Sequence, residues 1–204
     1  MSGYIGINLR DILHDDSLGE SAAKRVLSSF SCPLNPDVEH FLHHTAIEFS
    51  KQGISSTYLI MASYREQYVL CGYFTLSNKV FCIEKTSLPN QNWKRRIKKF
   101  AQFDTTLQRY TISAPLIGQL GKNYTNGYNK LITGDELLKL ALDKVREIQY
   151  IGGGKIVYLE CEQKEKLIDF YQSNGFVNFG ARPLDRDETD KLSGDSLIQM
   201  LRYM

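Results

Sequence analysis

Residues 110–161 constrain the fold of this chain more than any other stretch of its sequence. They begin with the apolar run TISAPLIGQL, which predicts a strand across 110–120. Apolar residues then recur at helical spacing and predict an amphipathic helix: Leu137, Leu138, Ala141, Leu142, Val145 and Ile148. Three glycines, 152–154, turn the chain into a second apolar run, a predicted strand over 155–161. Two strands joined by a helix lie parallel with a right-handed crossover, so the sequence predicts a mixed α/β sheet with helices on its faces.

Helical and extended patterns alternate along the rest of the sequence. Asn35 is a suitable N-cap, Pro36 fits the first helical position and Gly53 ends the helix that they open. Further helices are predicted at 20–30, 90–103 and 163–173. Strands are predicted at 56–63, 67–77, 79–84, 176–181 and 196–203, with a polar loop at 183–194. The short separations between the first three strands predict antiparallel hairpins.

Length and composition fit a single globular domain. The chain has 204 residues, of which 42% are hydrophobic and 24% charged, and a formal net charge of +2. We divide it into an N-terminal helical extension, 1–34, and one α/β domain, 35–204. The apolar runs are too short for a transmembrane helix, and acidic residues interrupt the N-terminus where a signal peptide needs an apolar stretch. The sequence therefore predicts a cytoplasmic protein that does not contact a membrane.

The residue types that bind metals or form disulfides do not form recognisable clusters. The cysteines are Cys32, Cys71, Cys82 and Cys161. They include no CxxC pair, and the last three lie in apolar runs, which predicts buried free thiols. His40, His43 and His44 lie at i, i+3 and i+4, a spacing at which two could share a metal. Because HFLHH lacks the glutamate of the zinc-protease motif and no third ligand is evident, we predict no metal site.

The segment between the two parallel strands has the composition of an anion-binding loop. A glycine-containing loop, GKNYTNGYNKLITG, follows the strand and opens the helix. Backbone N–H groups converge at such a helix N-terminus, which is a natural seat for phosphate. Thr133 and Glu136 also fit a capping box, which needs no ligand. Asp135 and Glu136 repel a nearby pyrophosphate whereas Lys122 and Lys130 attract it, so both interpretations stay open.

A second motif lies near the C-terminus. Tyr171 falls near the end of a predicted helix, and Gly175 and Phe176 follow in the pattern Tyr-x-x-x-Gly-Phe. Together with the order of elements over 35–204, these motifs resemble the GNAT family of N-acetyltransferases. The resemblance implies a single-domain, GNAT-like acyl-CoA N-acyltransferase fold. It also implies that an acceptor amine attacks acetyl-CoA directly and that Tyr171 is the general acid that protonates the departing thiolate.

The GNAT family holds the pyrophosphate of acetyl-CoA in a loop with the pattern Q/R-x-x-G-x-G/A. The best match here is 129–134, in which Gly134 fits, Asn129 replaces the usual Gln or Arg, and Ile132 replaces the first glycine. The strand end before the loop would lie beside the pantetheine and offer an N–H to the oxyanion. The implied cofactor-binding residues are Leu120, Gly121, Lys122, Asn129, Lys130, Leu131, Ile132, Thr133, Gly134 and Asp135.

A closer resemblance is to the GNAT-type toxins that acetylate aminoacyl-tRNA. That subgroup has an apolar helix, a strand and a Gly-Tyr-Phe-like strand core, and the same layout occurs here at 41–46, 56–58 and 71–76. Gln119 and Leu120 stand where the subgroup has Arg-Leu before its cofactor loop. The resemblance implies aminoacyl-tRNA as the acceptor, and related folds often form homodimers.

Residues 93–100, WKRRIKKF, form the one concentrated basic run of the sequence. Trp93, Ile97 and Phe100 fall at i, i+4 and i+7 and are predicted to face the core. A charge run is usually a solvated helix face, but one this dense also suits the phosphate backbone of RNA. The candidate substrate-binding residues are Lys94, Arg95, Lys98 and Lys99.

The sequence contains no evident general base, because the predicted strand 110–120 holds no Asp or Glu. A free α-amine has an unperturbed pKa of about 7.7–8.0 and is partly neutral at pH 7, whereas a lysine side chain titrates near 10.4. This favours an α-amine acceptor, or a base that acts through water, such as Glu160 or Glu162. Two alternatives stay open: a GNAT enzyme that acts on a small-molecule or protein amine, and a GNAT-like binding module that does not catalyse.

Overall fold

A computed structural model describes residues 3–186, 192 and 194–204 of the chain. Its strands are β1 (Tyr4–Asn8), β2 (Ser56–Tyr64), β3 (Gln67–Glu84), β4 (Gln102–Asp104), β5 (Arg109–Lys122), β6 (Ile156–Glu162), β7 (Val177–Pro183) and β8 (Ser196–Tyr203). Its helices are α1 (Leu9–His14), α2 (Gly19–Leu27), α3 (Pro36–His40), α4 (Ala46–Lys51), α5 (Gln91–Ile97), α6 (Gly134–Gly152) and α7 (Glu165–Ser173). A π-helical turn, Phe41–Thr45, joins α3 to α4, and a 3₁₀ segment, Thr125–Lys130, precedes α6. Within the described residues, no helix combines the length and apolar character needed to cross a bilayer.

The strands form one mixed sheet in the order β1-β2-β3-β5-β6-β8-β7, with β4 paired to β5. Strand pairs β1–β2, β2–β3, β4–β5, β6–β8 and β7–β8 are antiparallel. Strands β5 and β6 are parallel and pair through Leu116 with Tyr158 and Ile117 with Leu159. The predicted parallel strand–helix–strand unit and the predicted α/β class are therefore confirmed. Beyond Ile117, β5 continues to Lys122.

The chain divides into two compact units. The first unit comprises the chain up to Ser77 together with Gly118–Asp143, and the second comprises Asn78–Ile117 and the chain from Lys144 onward. Strands β3 and β5 each contribute residues to both units. Buried side chains of the first core include Leu9, Leu27, Leu42, Leu59 and Tyr73. Buried side chains of the second core include Ile83, Trp93, Ile97, Tyr158 and Leu201.

The N-terminal segment contributes a strand that the sequence did not predict. Strand β1 pairs antiparallel with β2, and its first pair is Tyr4 with Ala62. Asn8 ends this strand and caps α1, because its side-chain oxygen accepts a hydrogen bond from the Arg10 N–H at 3.0 Å. A helical extension is thus an incomplete description of 3–34, which holds β1 as well as α1 and α2. The division of the chain at residue 34 stays a prediction.

Two predicted element boundaries are wrong. The predicted strands 67–77 and 79–84 are one continuous strand, β3. The predicted helix 90–103 ends at Ile97, and the residues that follow form β4, which pairs with the start of β5. This hairpin pairing overrides the helical spacing of apolar residues, since tertiary contacts outweigh local propensity. The predicted loop 183–194 lies partly outside the described residues, which exclude 187–191 and 193.

Cys82 is exposed, although the sequence predicted a buried thiol there. Successive side chains of a strand point to opposite faces, and in β3 the core face belongs to Phe81 and Ile83, which are 6% and 0% exposed. Cys82 therefore faces outward. The other three cysteines are buried and free, as predicted.

Candidate active site

The end of β5, where the predicted cofactor-binding residues begin, is anchored by the buried side chain of Asn123. Its amide nitrogen donates hydrogen bonds to the carbonyls of Ser29 at 3.0 Å and Leu70 at 2.8 Å. Its amide oxygen accepts from the N–H groups of Ser31 and Thr125, both at 3.0 Å. All of its hydrogen-bonding capacity is thereby used inside the first unit, and the strand end is held in one position. Sequence reasoning missed Asn123, since nothing in its local pattern signals contacts so distant along the chain.

Two glycines allow the close packing of this strand end. A Cβ atom on Gly121 would lie 2.4 Å from Cγ1 of Val38 and 3.3 Å from the Phe30 ring. A Cβ atom on Gly72 would lie 2.9 Å from the Gly121 carbonyl oxygen. Neither position has room for a side chain. Of the predicted cofactor-binding residues at this strand end, Gly121 is buried, and Leu120 and Lys122 are half-buried.

The loop between β5 and α6 is tied to the first two strands. Tyr4 of β1 donates a hydrogen bond from its hydroxyl to the Leu131 carbonyl at 2.9 Å. Tyr128 packs edge-on against Tyr64 at the end of β2, with 5.6 Å between ring centroids. The side chain of Ile132 is buried at 1% exposed, so only its backbone is available to a ligand. These contacts hold the loop in which the predicted residues Asn129–Asp135 lie.

A capping box starts helix α6, as the sequence predicted. The Thr133 hydroxyl accepts a hydrogen bond from the Glu136 N–H at 3.1 Å, and the Glu136 carboxylate accepts from the Thr133 N–H at 2.8 Å. The hydrogen bonds from Thr133 lower the pKa of Glu136, which stays ionised at neutral pH. Burial, together with the nearby Glu136, raises the pKa of Tyr4 to about 12. The box uses the Glu136 N–H but not that of Gly134, the first residue of the helix.

Tyr171 lies in the second unit, on the last turn of α7, and is buried at 7% exposed. Its ring packs against Phe170 and Phe176, with centroid separations of 5.0 and 5.7 Å. Its hydroxyl forms no hydrogen bond with any residue that the structure describes. Burial, and to a lesser extent Cys161, raises the pKa of Tyr171 above the ordinary value of 10.0, so the phenol keeps its proton at neutral pH.

The Tyr-x-x-x-Gly-Phe motif has a structural role as well. Gly175 follows α7 with a φ of +80°, a left-handed conformation that glycine adopts without strain. The Phe176 N–H then donates to the Tyr171 carbonyl at 3.0 Å, which turns the chain into β7. Arg202 of β8 donates to the Asn174 carbonyl at 2.7 Å and braces this turn. The motif thus fixes the helix end on which Tyr171 is carried.

Glu160 and Glu162, the two carboxylates proposed as water-mediated bases, both form ion pairs in the structure. Arg182 binds Glu160 through two hydrogen bonds of 2.8 Å, and the Tyr158 hydroxyl donates a third. Burial alone would raise the pKa of Glu160, but these bonds and the charge of Lys79 outweigh it and lower the pKa to about 2. So acidic a carboxyl is a weak base at pH 7. Glu162 is buried and pairs with Lys164 at 2.8 Å.

The basic run of α5 is only partly as predicted. Trp93 and Ile97 are buried, but Phe100 is 37% exposed and does not face the core as expected. Arg96 is engaged with aromatic rings, 5.5 Å from Trp93 and 4.7 Å from Tyr203. The candidate residues Arg95, Lys98 and Lys99 are exposed, and Lys94 is half-exposed.

The structure gathers the predicted residues in two groups. The strand end 120–122 and the loop 129–135 belong to the first unit. Tyr171 and the basic residues of the α5 region belong to the second unit. Of the three histidines, His43 contacts the Phe30 carbonyl at 3.0 Å, and no cluster of three metal-ligating side chains occurs within the described residues.

Comparison with known proteins identifies the fold. No protein-family model matches the sequence, and no curated protein matches it. Among solved structures, AtaT complexed with acetyl-methionyl-tRNAfMet matches with a TM-score of 0.61 and 19% identity over 96% of this chain and 93% of that one. A tyrosine-to-phenylalanine variant of KacT matches with a TM-score of 0.60 and 16% identity over 97% and 94% of the two chains. A structure described as a bacterial toxin has a TM-score of 0.60 and 17% identity over 100% and 92%.

The chain has the fold of AtaT and KacT. The predicted GNAT-like fold is thereby confirmed over nearly the whole sequence. Within this GNAT fold, the loop matched to the pyrophosphate motif joins β5 to α6, and Tyr171 stands on α7 directly before β7. These are the elements to which the sequence motifs had been assigned.

Proposed function

We propose that the protein is an acetyl-CoA-dependent N-acetyltransferase whose acceptor is the α-amine of an aminoacyl-tRNA. The observation that carries this proposal is the GNAT fold combined with a buried tyrosine, Tyr171, whose hydroxyl has no hydrogen-bonding partner among the described residues. A solved complex named AtaTR bound with AcCoA matches the chain with a TM-score of 0.54 and 20% identity. The AtaT structure with acetyl-methionyl-tRNAfMet suggests the acceptor class.

The first unit supplies groups that fit acetyl-CoA. The backbone of Leu120, Gly121 and Lys122 offers strand-like hydrogen bonds for the pantetheine and an N–H for the oxyanion. The loop Asn129–Asp135 approaches the N-terminus of a 19-residue helix, where the Gly134 N–H is not used by the capping box. Lys122 and Lys130 offset the carboxylate of Asp135 there. When bound, acetyl-CoA supplies the activated acetyl group.

Tyr171 serves as the general acid in this proposal. Burial raises the pKa of this phenol, so it is still protonated when the thiolate departs. Its proton passes to the sulfur as the C–S bond breaks, and the proton that the attacking amine loses restores the phenol, so that CoA leaves as a neutral thiol. Since the Tyr171 hydroxyl makes no hydrogen bond to a described residue, donating to the sulfur breaks none of the contacts that the structure shows.

The acceptor amine deprotonates without a dedicated carboxylate. Glu160, with a pKa of about 2, is held by Arg182 and stays ionised. An α-amine titrates near pH 7.7–8.0, so roughly a tenth or more is neutral at pH 7 in water. This supports an aminoacyl α-amine over a lysine side chain, for which the neutral fraction is about 200- to 400-fold smaller.

The exposed basic residues support an RNA acceptor. Lys94, Lys98 and Lys99 form no ion pair with any residue that the structure describes, and their charges are available to phosphates. Arg95 beside them adds a fourth charge and reaches only the neutral Asn92 side chain. A small free amine has no need of such a surface.

Calorimetric titration with acetyl-CoA, followed by an acetylation assay on aminoacyl-tRNA, tests this function. We expect micromolar binding and transfer of radiolabelled acetyl to the aminoacyl group. Binding of acetyl-CoA with transfer only to free amines or peptides would contradict the proposed acceptor but support the proposed acetyltransferase activity. Absence of binding at millimolar acetyl-CoA would contradict the proposal and leave 133–136 as a capping box in a non-catalytic module.

A further inference from the structure

A cavity in the second unit lies beside aromatic and basic side chains that the transfer step does not use. Its volume is about 360 Å³, and it is lined by Asn78, Phe100, residues 112–115 of β5 and residues 152–156, which run from the end of α6 to the start of β6. Small-molecule sites span about 300–1,000 Å³, so this cavity is at the small end of that range. It suits one flat ring system rather than an extended ligand.

The charge around the cavity favours an anionic ligand. Among the described residues that line it there is no carboxylate, and Lys155 is the one charged side chain. Lys98 and Lys99 immediately precede Phe100 in the sequence and are exposed. Three positive charges therefore lie in or directly next to the segments that form the cavity.

One aromatic side chain of the cavity wall is open to solvent. Phe100 lines the cavity, is 37% exposed and contacts Tyr203 with 6.3 Å between ring centroids. Exposed aromatic rings are what unpaired bases stack on.

The end of α6 determines which part of a nucleotide the cavity accommodates. Helix α6 ends at Gly152, and the last carbonyl groups of a helix carry partial negative charge. They disfavour a phosphate but accept hydrogen bonds from the amino groups of a base. The lysines outside the helix end suit the phosphate instead.

We propose that this cavity binds one unpaired nucleotide of an RNA, with the base against Phe100 and the flanking phosphates on Lys98, Lys99 and Lys155. The inference rests on the proposed function, because it names a second contact to the tRNA acceptor, at a nucleotide other than the one that carries the reacting amine. It adds stacking of a base to the electrostatic attraction already assigned to the basic run.

Fluorescence anisotropy with labelled tRNA, in the presence of acetyl-CoA, measures the contact in the full-length protein. Phe100→Ala removes the ring on which the base stacks and should raise the Kd for tRNA about 5- to 100-fold. Ser113→Trp fills the cavity from an exposed strand position and should weaken binding similarly. Tyr68→Ala, which removes a 60% exposed tyrosine from β3, and Ser113→Ala, which leaves the cavity open, are the matched controls and should leave the Kd unchanged.

The outcomes separate this inference from the proposed enzyme. If the wild-type protein binds tRNA and both test variants bind it equally well, the cavity is not an RNA site and a protein partner becomes the better explanation for its exposed ring. If the wild-type protein binds no tRNA, both this inference and the proposal of a tRNA acceptor are wrong. Calorimetry with acetyl-CoA then still tests whether the protein binds the proposed acetyl donor. If tRNA binding falls in the variants but acetyl-CoA does not bind, the inference stands and the transferase proposal falls.

Discussion

The Thr133 hydroxyl and the Glu136 carboxylate satisfy each other's backbone N–H groups, at 3.1 and 2.8 Å, where helix α6 begins. The helix start is therefore capped by its own side chains, and the Gly134 N–H is left for a ligand. The Glu136 charge also stands next to the loop proposed to hold a pyrophosphate. The Glu136 carboxylate consequently stabilises the helix start but weakens the binding of a pyrophosphate. Substitutions can separate these two effects.

Glu136→Gln should tighten acetyl-CoA binding while keeping the fold. Glutamine can replace glutamate in a capping box, so the helix start is retained while a charge that repels the pyrophosphate is removed. We expect the Kd from calorimetry to fall several-fold at low salt, with a smaller change at high salt. Glu147→Gln, at the other end of the same helix, is the matched control. Equal affinities for Glu136→Gln and wild type would argue that the pyrophosphate lies elsewhere.

Thr133→Ala should destabilise the protein by about 1 kcal/mol, because it removes the hydroxyl that caps the helix. Urea denaturation measures the change as a shift in midpoint at constant slope. Thr105→Ala tests whether any exposed threonine has the same effect, since Thr105 lies in the β4–β5 turn and caps no helix. A loss for Thr133→Ala no greater than for Thr105→Ala would show that the capping bond is not formed in solution.

Tyr171→Phe should abolish most turnover without affecting stability. The Tyr171 hydroxyl makes no hydrogen bond to a described residue, so its removal breaks no internal contact and should change the free energy of unfolding by less than about 0.5 kcal/mol. General acid catalysis contributes about 10²- to 10⁴-fold, and the rate of thiol release should fall by a similar factor. Thiol-reactive dye detection of free CoA provides the assay.

The control for this variant is Tyr110→Phe, which removes the hydroxyl of another buried tyrosine in the second unit. It should leave turnover unchanged. Wild-type turnover in Tyr171→Phe would exclude this residue as the acid.

Reversing the charge of the basic run should distinguish an RNA acceptor from a small amine. Glutamate substitutions at Lys94, Arg95, Lys98 and Lys99 should eliminate acetylation of aminoacyl-tRNA, because each lost phosphate contact reduces affinity and the new charges repel the backbone. Acetylation of a small amine, or slow hydrolysis of acetyl-CoA, should continue at the wild-type rate. A proportional loss of both reactions would indicate damage to the fold or a non-RNA acceptor. Lys139→Glu, at a 75% exposed position on α6, controls for charge reversal in general.

The sequence predicts the strand–helix–strand part of the fold because its apolar spacing determines the elements locally. Strand β1 was missed, since its five residues YIGIN include a glycine and form a strand only by pairing with β2. Strand β3 was divided in two because Ser77 and Asn78 favour turns, although the strand runs through them to Glu84. The exposure of Cys82 follows from the alternation of side chains along the strand, which the apolar run VFCI does not reveal.

The candidate site shows the same division between local and distant determinants. Thr133 and Glu136 could be paired from the sequence because they are three residues apart. Asn123 could not be assigned, because its partners lie up to 94 residues away along the chain. Arg182 was missed for the same reason, since its bond to Glu160 joins different strands.

Gly121→Ala should destabilise the first unit, and adding Val38→Ala should recover part of the lost stability. A Cβ atom at Gly121 would come within 2.4 Å of Val38 Cγ1, a distance that forces α3 to move. Overpacking of this kind costs about 1–3 kcal/mol. Deleting the two Val38 methyl groups opens a space where the added Cβ atom of Gly121→Ala would lie. The double variant should therefore be more stable than the sum of the two single losses predicts. Strict additivity in urea denaturation would show that the two residues do not meet.

Glu160 should make stability fall as the solution becomes acidic. Its pKa is about 2 in the folded protein against an ordinary 4.5, so the folded state holds this carboxylate ionised more strongly than the unfolded chain does. The stabilisation is complete above pH 4.5 and is lost as pH falls through 2. Glu160→Gln should therefore be less stable than wild type at pH 7, with a smaller dependence of the urea midpoint on pH between 4.5 and 2. Glu84→Gln, at an exposed position of β3, should retain the wild-type pH dependence. Parallel pH profiles for wild type and Glu160→Gln would show that the bonds from Arg182 and Tyr158 do not hold the carboxylate ionised.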